Sequence, residues 1–338
     1  MRTILITGPG GSGRTTLAAA TALAAAAEGT RTLVLGTDRT DSLGAALGVT
    51  TGPAPVQAAP HLTAWRPDAA QDFRRDLIAL QDRASSALDL LALPEELRRY
   101  LRRLLPPERQ AARALRPVLG RLAGVPMPAE WLYETAARWD LELAAVEAVV
   151  ADRGTVVRLV AEPGPAGSDA LRTAGLGLAL RGLTTDVVVA NRVLPEASAD
   201  TWLAGPVAQQ RKTLEEWRES YDVRTVAHLG HDPRGTDDLT ALAVPGAAPA
   251  APAADWPVTD RLGEDGVLVW RIPLPGAIRE ELDLVRRGDE LVVTAGRFRR
   301  VVPLPSVLRR CTVDGAALRD GELRIRFAPD PKLWPRVR

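Results

Sequence analysis

Gly8-Pro9-Gly10-Gly11-Ser12-Gly13-Arg14-Thr15-Thr16 is the stretch of this chain whose residue types and spacing could do chemistry. Glycine accepts backbone torsions that other residues avoid, so such a run can turn successive N–H groups inward around an anion. The spacing fits G-x-x-x-x-G-K-[S/T], with Arg14 in the lysine slot and Thr15 in the hydroxyl slot. In that chemistry Gly8, Gly10, Gly11, Ser12 and Gly13 cradle phosphate oxygens, and Arg14 brings a positive charge to them. Thr15 ligates Mg²⁺, while Thr16 belongs to the helix whose N-terminal end adds its own positive field. Arginine keeps the charge of lysine but is longer, planar and bidentate, so phosphate binding should survive the exchange better than catalysis. A glycine-rich turn without a ligand is the competing reading; a strand before the loop and a helix after it speak against that.

Those elements are legible. Arg2–Thr7 is a short apolar run ended by the glycines, and alanine-rich Thr15–Glu28 predicts a helix that stops at Gly29. A second apolar strand, Thr32–Leu35, completes a βαβ unit and implies a parallel sheet. From Pro67 to Asp152 apolar residues recur three and four apart (Leu77, Leu80; Leu97, Leu101, Leu104; Leu141, Ala145, Val149), and prolines break the region into several helices. Strands return at Thr155–Ala161, Asp186–Ala190 and Thr225–Leu229, with a helix from about Ser168 to Arg181. Beyond a Pro/Ala-rich stretch, short alternating strands with turns at Arg287-Gly288-Asp289 and Arg319-Asp320-Gly321 predict a small antiparallel sandwich. The expected organisation is a P-loop α/β domain over 1–245 with a helical subdomain at about 67–152, a linker over 246–262 and an all-β sandwich over 263–328.

Composition narrows the function. With 46% hydrophobic and 25% charged residues and a net charge of +1, nothing suggests a nucleic-acid or anionic-membrane surface. The basic residues are almost all arginine, Lys212 and Lys332 being the lysines, as a GC-rich genome would produce. The apolar stretch Leu17–Ala27 is too short to span a bilayer and no signal peptide is visible, so a cytoplasmic protein without stable membrane insertion is expected. Cys311 is single, which excludes an internal disulfide, a CxxC clip and a multi-thiol arsenite site. His61, His228 and His231 share no metal-ligand spacing with carboxylates and read as structural or solvated. Trp131, Tyr133 and Trp139 at helical spacing read as core or groove lining.

Three motifs in order resemble the ArsA family, which includes arsenite-pump ATPases and the ATPase that targets tail-anchored membrane proteins. Its loop G-K-G-G-V-G-K-T-T is similar to Gly8–Thr16, and its S-T-D-P-A-H-S-L switch to Gly36-Thr37-Asp38-Arg39-Thr40-Asp41-Ser42-Leu43. Its V-V-V-N-R-V-L-P stretch resembles Val187-Val188-Val189-Ala190-Asn191-Arg192-Val193-Leu194-Pro195. The resemblance implies ATP or ADP with Mg²⁺ as cofactors and a homodimer with a possible protein client. It implies Asp38 as the residue that orients the attacking water, Arg14 at the phosphates and Asn191 at the adenine edge. Ile272-Pro273-Leu274-Pro275-Gly276, Asp289–Val293 and Asp320–Ile325 in turn resemble small heat-shock (α-crystallin) domains.

The chain departs from that pattern in three places. Pro9 stands where the family has a signature lysine that reaches the partner's nucleotide, and proline removes one N–H from the cradle. Arg14 replaces the second lysine. The family's aliphatic strand ending in D-T-A-P-T-G-H-T-L also lacks a counterpart. Leu90-Leu91-Ala92-Leu93-Pro94 matches its tail, but no aliphatic run precedes it, and Asp82 lies in a segment that fits an amphipathic helix better. A strand-bearing segment is thus expected to be missing between about Ala84 and Leu90, leaving the sheet without a central strand unless another element fills the place. The expected function is an ATP-binding switch with weak or no hydrolysis. The alternative is a non-enzymatic pseudo-ATPase scaffold or chaperone-like client binder; a ParA/MinD-type ATPase fits less well, because a basic or amphipathic surface helix is lacking.

Overall fold

The computed structural model describes residues 2–38, 40–68, 71, 129–152, 154–183, 185–196, 201–246 and 256–334. The chain divides into one unit made of 1–66 and 153–338 and a second made of 67–152.

In the first unit, β1 (Thr3–Thr7) leads through the glycine loop into α1 (Arg14–Ala27) and back into β2 (Thr32–Leu35). Alanine gives α1 its propensity and its thinness, and Leu17, Ala19, Ala20, Ala22 and Ala26 are buried. The helix ends in a paired motif: Gly29 N donates to Ala26 O and Thr30 N to Ala25 O, with Gly29 at φ 82°. Next come α2 (Ser42–Leu47), β3 (Val56–Ala59) and β4 (Leu62–Trp65). After the second unit the chain continues through β5 (Thr155–Ala161), α4 (Pro165–Leu180), β6 (Thr185–Val193), α5 (Ala204–Arg218), β7 (Val223–Ala227) and α6 (Gly235–Ala241).

The sheet is in two pieces. Strands β1, β5, β6 and β7 form one parallel sheet in that order, whereas β2 pairs in parallel with β4, which pairs antiparallel with β3. Both pieces rest on α1, with Val34 and Leu62 of one and Val160 and Val189 of the other in a common core. Among the described residues no strand joins β1 to β2. Leu5, Leu33 and Leu35 remain 38, 54 and 51% exposed. β3 and β4, which the sequence reading did not anticipate, extend the far side of β2 and leave its other edge unpaired among the described residues.

Strand β5 is buried along nearly its whole length and carries an arginine at its centre. Arg158 donates to Asp186 on β6 at 2.7 Å, with side-chain exposures of 1% and 0%, and also to the carbonyls of Pro245 and Gly246 at 2.9 and 2.8 Å. Burying a charge requires such complete pairing. Here the pairing also fixes the point where the chain leaves the sheet.

The C-terminal part is all β. Strands β10 (Leu282–Arg287), β11 (Glu290–Ala295) and β12 (Phe298–Pro303) form one antiparallel sheet. Strands β13 (Cys311–Arg319), β14 (Glu322–Pro329), β9 (Val267–Pro273) and β8 (Val258–Arg261) form the other. Alternation puts Leu291, Val293, Leu323, Ile325 and Phe327 inside with Trp270 and Ile272. Val258–Arg261 lies in the stretch read as linker: its alternation is too short to announce a strand, but β9 supplies the pairing.

This sandwich is built onto α4. Leu176 and Leu180 of the helix belong to the sandwich core. A Cβ on Gly177 would meet the Phe298 ring at 2.8 Å, and Arg300 Nη1 donates to Leu180 O at 2.6 Å. The Arg300 guanidinium also lies 5.1 Å from the Trp256 ring centroid.

In the second unit α3 (Ala129–Ala151) confirms the helical periodicity at its end. Apolar residues of its C-terminal half, however, face out: Leu141 is 71% and Val146 59% exposed. Spacing can mark an apolar face without saying what covers it. Asp82, Leu90–Pro94 and the side chains of Trp131, Tyr133 and Trp139 lie outside the described residues.

Candidate functional site

The glycine loop is shaped by its neighbours. A Cβ on Gly8 would stand 1.9 Å from Val160 O of the adjoining strand, and one on Gly13 would stand 2.3 Å from Asn191 Nδ2. Gly11 and Gly13 have φ of 81° and 87°, which is glycine territory. Pro9 O accepts from Ser12 Oγ at 2.9 Å and from Ser12 N at 3.4 Å, so Pro9 opens a tight turn over Gly10 and Gly11. Leu17 N is the first α1 amide paired within the helix, to Gly13 O, and no side chain caps the start. The N–H groups of Arg14, Thr15 and Thr16 therefore face the loop with the helix dipole behind them.

Thr15 and Asp38 meet. Thr15 Oγ1 donates to Asp38 Oδ2 at 3.1 Å, joining the hydroxyl of the loop to the carboxylate after β2. Asp38 is exposed, and Arg14 makes no hydrogen bond or ion pair with the described residues. The segment after Asp38 is secured by Asp41, which caps α2 by accepting from Gly44 N at 3.0 Å. It also takes Thr51 N at 2.9 Å and the Thr51 hydroxyl. The Thr51 hydroxyl, then its amide, Gly44 N and nearby Arg66, hold the Asp41 carboxyl below its ordinary value against the opposing effect of burial. Sequence reading passed over Asp41, although Asp41-Ser42-Leu43 is a recognisable helix start.

Asn191 is 5% exposed and gives Nδ2 to Ser12 O at 2.9 Å. Its amide is committed to the loop itself, a contact 179 residues away in sequence that no local pattern announces. Beside it, Arg192 has φ 55°, uncommon for a residue with a side chain. The ladder slips here: Ala190 pairs with Thr225 and Val193 with Ala227, so β6 carries one extra residue, a bulge. Arg192 Nη1 lies 2.6 Å from Glu162 Oε1 and Nη2 lies 3.3 Å from Asp232 Oδ1. A cleft opens next to these residues, walled by Gly13, Thr16, Asn191, His228 and His231. Both histidines are held locally: His228 Nδ1 accepts from Gly230 N in the same loop at 2.8 Å, and His231 Nε2 lies 3.3 Å from Asp238 Oδ2 on α6. Their place beside the cleft was not foreseen, because β7 and α6 bring them there.

The structure thus brings together Gly8–Thr16, Asp38 and Asn191. Uncapped helix amides, a glycine cradle and a hydroxyl–carboxylate pair form a donor and ligand set that fits a polyphosphate with a divalent cation. Among the described residues no His/Cys/Asp/Glu group forms a metal cluster, and no helix is long and apolar enough to cross a membrane.

Comparison with known proteins meets this geometry. Residues 1–85 and 81–243 match the family model of anion-transporting ATPases, and residues 265–327 match that of the HSP20-like domain found in ArsA. Over its full length the chain is 70% identical to SCO2128 of Streptomyces coelicolor, also matched over 100% of its length. It is 31% identical to protein Rv2184c of Mycobacterium tuberculosis, over 99% of this chain and 97% of that one. It is 26% identical to a putative arsenical pump-driving ATPase of Aquifex aeolicus, over 71% of this chain and 63% of that one. The ATPase match is in two segments that meet at 81–85. The S. coelicolor alignment runs over 390 positions against the 338 residues of this chain, so that relative carries a stretch this chain lacks.

Proposed function

The chain belongs to the ArsA family of anion-transporting ATPases and ends in the HSP20-like domain found in that family, and from there we propose that it is an ATP- and ADP-binding switch with slow or no hydrolysis. The observation that carries this reading is the glycine cradle joined to Asp38 through Thr15. The amides of Gly10, Gly11, Ser12 and Gly13 and the first turn of α1 hold the phosphates, with the Arg14 side chain over them and Gly8 giving the loop its close approach to β5. Thr15 and Asp38 are the residues that would hold Mg²⁺, which supplies charge neutralisation at the phosphates. Asp38 is also placed to hold a water, and Thr16 and Asn191 line the small cleft beside the loop.

Binding is favoured over turnover for physical reasons. Pro9 brings neither an amine nor an N–H, Arg14 cannot act as a compact point charge, and the family's D-T-A-P-T-G-H-T-L stretch has no counterpart in the sequence. A homodimer is part of the proposal, since family members use both subunits around their nucleotides.

A second reading, a scaffold or client binder without turnover, is favoured by the HSP20-like domain and by the exposed leucines and valines of α3. One pair of measurements separates the readings. Calorimetric titration of ATP and ADP with Mg²⁺ is expected to show binding that Thr15→Ala weakens. Phosphate release is expected to be slow, and release no greater than that of Arg14→Ala would leave the binder reading. Absence of any nucleotide binding would overturn both.

A further inference from the structure

Consecutive residues of a regular strand point to opposite faces, so Asn191 and Arg192 should not both reach the loop. They do, because the bulge in β6, with Arg192 in the left-handed region, turns them to one side. Asn191 Nδ2 takes Ser12 O, and Arg192 Nη1 takes Gly11 O at 3.4 Å while its guanidinium is anchored by Glu162 and Asp232. These are the carbonyls of two successive peptide planes. In a trans peptide the carbonyl and the following N–H point in opposite directions. Drawing the Ser12 carbonyl outward therefore aims Gly13 N–H into the cradle, while the hold on Gly11 O fixes the plane whose Ser12 N–H closes the turn on Pro9 O.

We infer that Arg192 is a positioning residue for the nucleotide loop, held at its post by Glu162 and Asp232 and acting on Gly11 as Asn191 acts on Ser12. The inference rests on the nucleotide-binding reading above and adds how the loop is kept in its binding shape before the ligand arrives. The Gly11–Ser12 plane is thus held at both ends by contacts of 3.4 Å, Arg192 Nη1 on its carbonyl and Pro9 O on its N–H. Preorganisation of this kind appears as affinity, because less ordering is left for the ligand to drive.

Its sign distinguishes it from a charge effect. Glu162 and Asp232 are negative, so if they acted on a polyphosphate only through space, neutralising them would tighten binding. As anchors of Arg192, they weaken binding when neutralised. The test is ADP and ATP titration with Mg²⁺ on full-length protein, with amide exchange of residues 8–16 measured without nucleotide. Arg192→Ala is expected to weaken binding by about tenfold and to speed exchange in the loop. Arg192→Lys should recover part of both effects, and Glu162→Gln and Asp232→Asn should each weaken binding severalfold with the unfolding midpoint preserved. Tighter binding in the carboxylate variants, or loop exchange unchanged in Arg192→Ala, would overturn the inference. If wild type binds no nucleotide yet Arg192→Ala still speeds loop exchange, the positioning role stands and the nucleotide reading falls.

Discussion

Gly177→Ala tests whether the sandwich is truly seated on α4. In an open helix this exchange stabilises by about 1 kcal/mol, because alanine is the better helix former. Here the new Cβ would lie 2.8, 2.9 and 3.1 Å from Cζ, Cε1 and Cε2 of Phe298. Carbon pairs prefer about 3.5–4.0 Å, so the ring must retreat by roughly 0.7 Å or more. It stands against the sandwich core, where overpacking costs about 1–3 kcal/mol. The two effects leave a net loss of about 1 kcal/mol. Removing the ring should reverse the sign: in a Phe298→Ala background Gly177→Ala should stabilise by about 1 kcal/mol. The coupling in the double-mutant cycle is then about 2 kcal/mol. Urea unfolding of the full chain, followed by tryptophan fluorescence and circular dichroism, reads it out. A stabilising Gly177→Ala in the wild-type background, or equal effects in the two backgrounds, would refute the contact and the view of α4 as part of the sandwich core.

Other expectations concern the sheet, the switch and the nucleotide. Arg158→Met should destabilise by about 3–5 kcal/mol because it leaves Asp186 buried without its counter-charge, whereas Arg158→Met with Asp186→Leu should recover much of the loss in denaturant titrations. The Asp41 carboxyl sits below its ordinary value in the fold, so its contribution is present above the unfolded value of about 3.9 and is lost as pH falls through the folded one. Asp41→Asn should accordingly flatten the acid limb of stability below about pH 5, and an unchanged limb would place the acid sensitivity elsewhere. Grafting into this chain the residues that the S. coelicolor relative carries beyond it, at the positions the alignment gives them, should raise amide protection along β1 and β2 if they supply the strand between them. Protection that rises only within 67–152 would show that the graft does not enter the sheet.

The sequence foretold the elements better than it foretold their contacts. β1, β2, β5 and β11 fall where apolar runs of β-branched and leucine residues lie; β5 is buried on both faces, while β1 and β2 keep the same apolar run although Leu5, Leu33 and Leu35 are exposed. The glycine loop was legible because its torsions demand glycine. A strand-bearing segment was expected to be missing between about Ala84 and Leu90, a stretch outside the described residues; the two segments of the family match meet nearby, at 81–85. What stayed hidden came from long-range pairing. Strands β3, β4 and β8 are four residues each, too short to show a period. The turn of Arg192 toward the loop depends on a bulge that forms only against β7. Nor does anything in Leu176-Gly177-Leu178 say that the glycine is there for a phenylalanine from β12.

That shared helix changes what cutting the chain can accomplish. A protease acting within 247–255 would sever the backbone between the two folds, yet Leu176 and Leu180 would stay inside the sandwich and Arg300 would still close the end of the helix. The products would co-migrate on a native column and separate only in denaturant. A gene shortened at the same point would instead yield an ATPase fragment with a bare leucine stripe on α4, prone to stick to itself. The ATPase and HSP20-like parts are joined less by their tether than by a helix that each needs to complete its core.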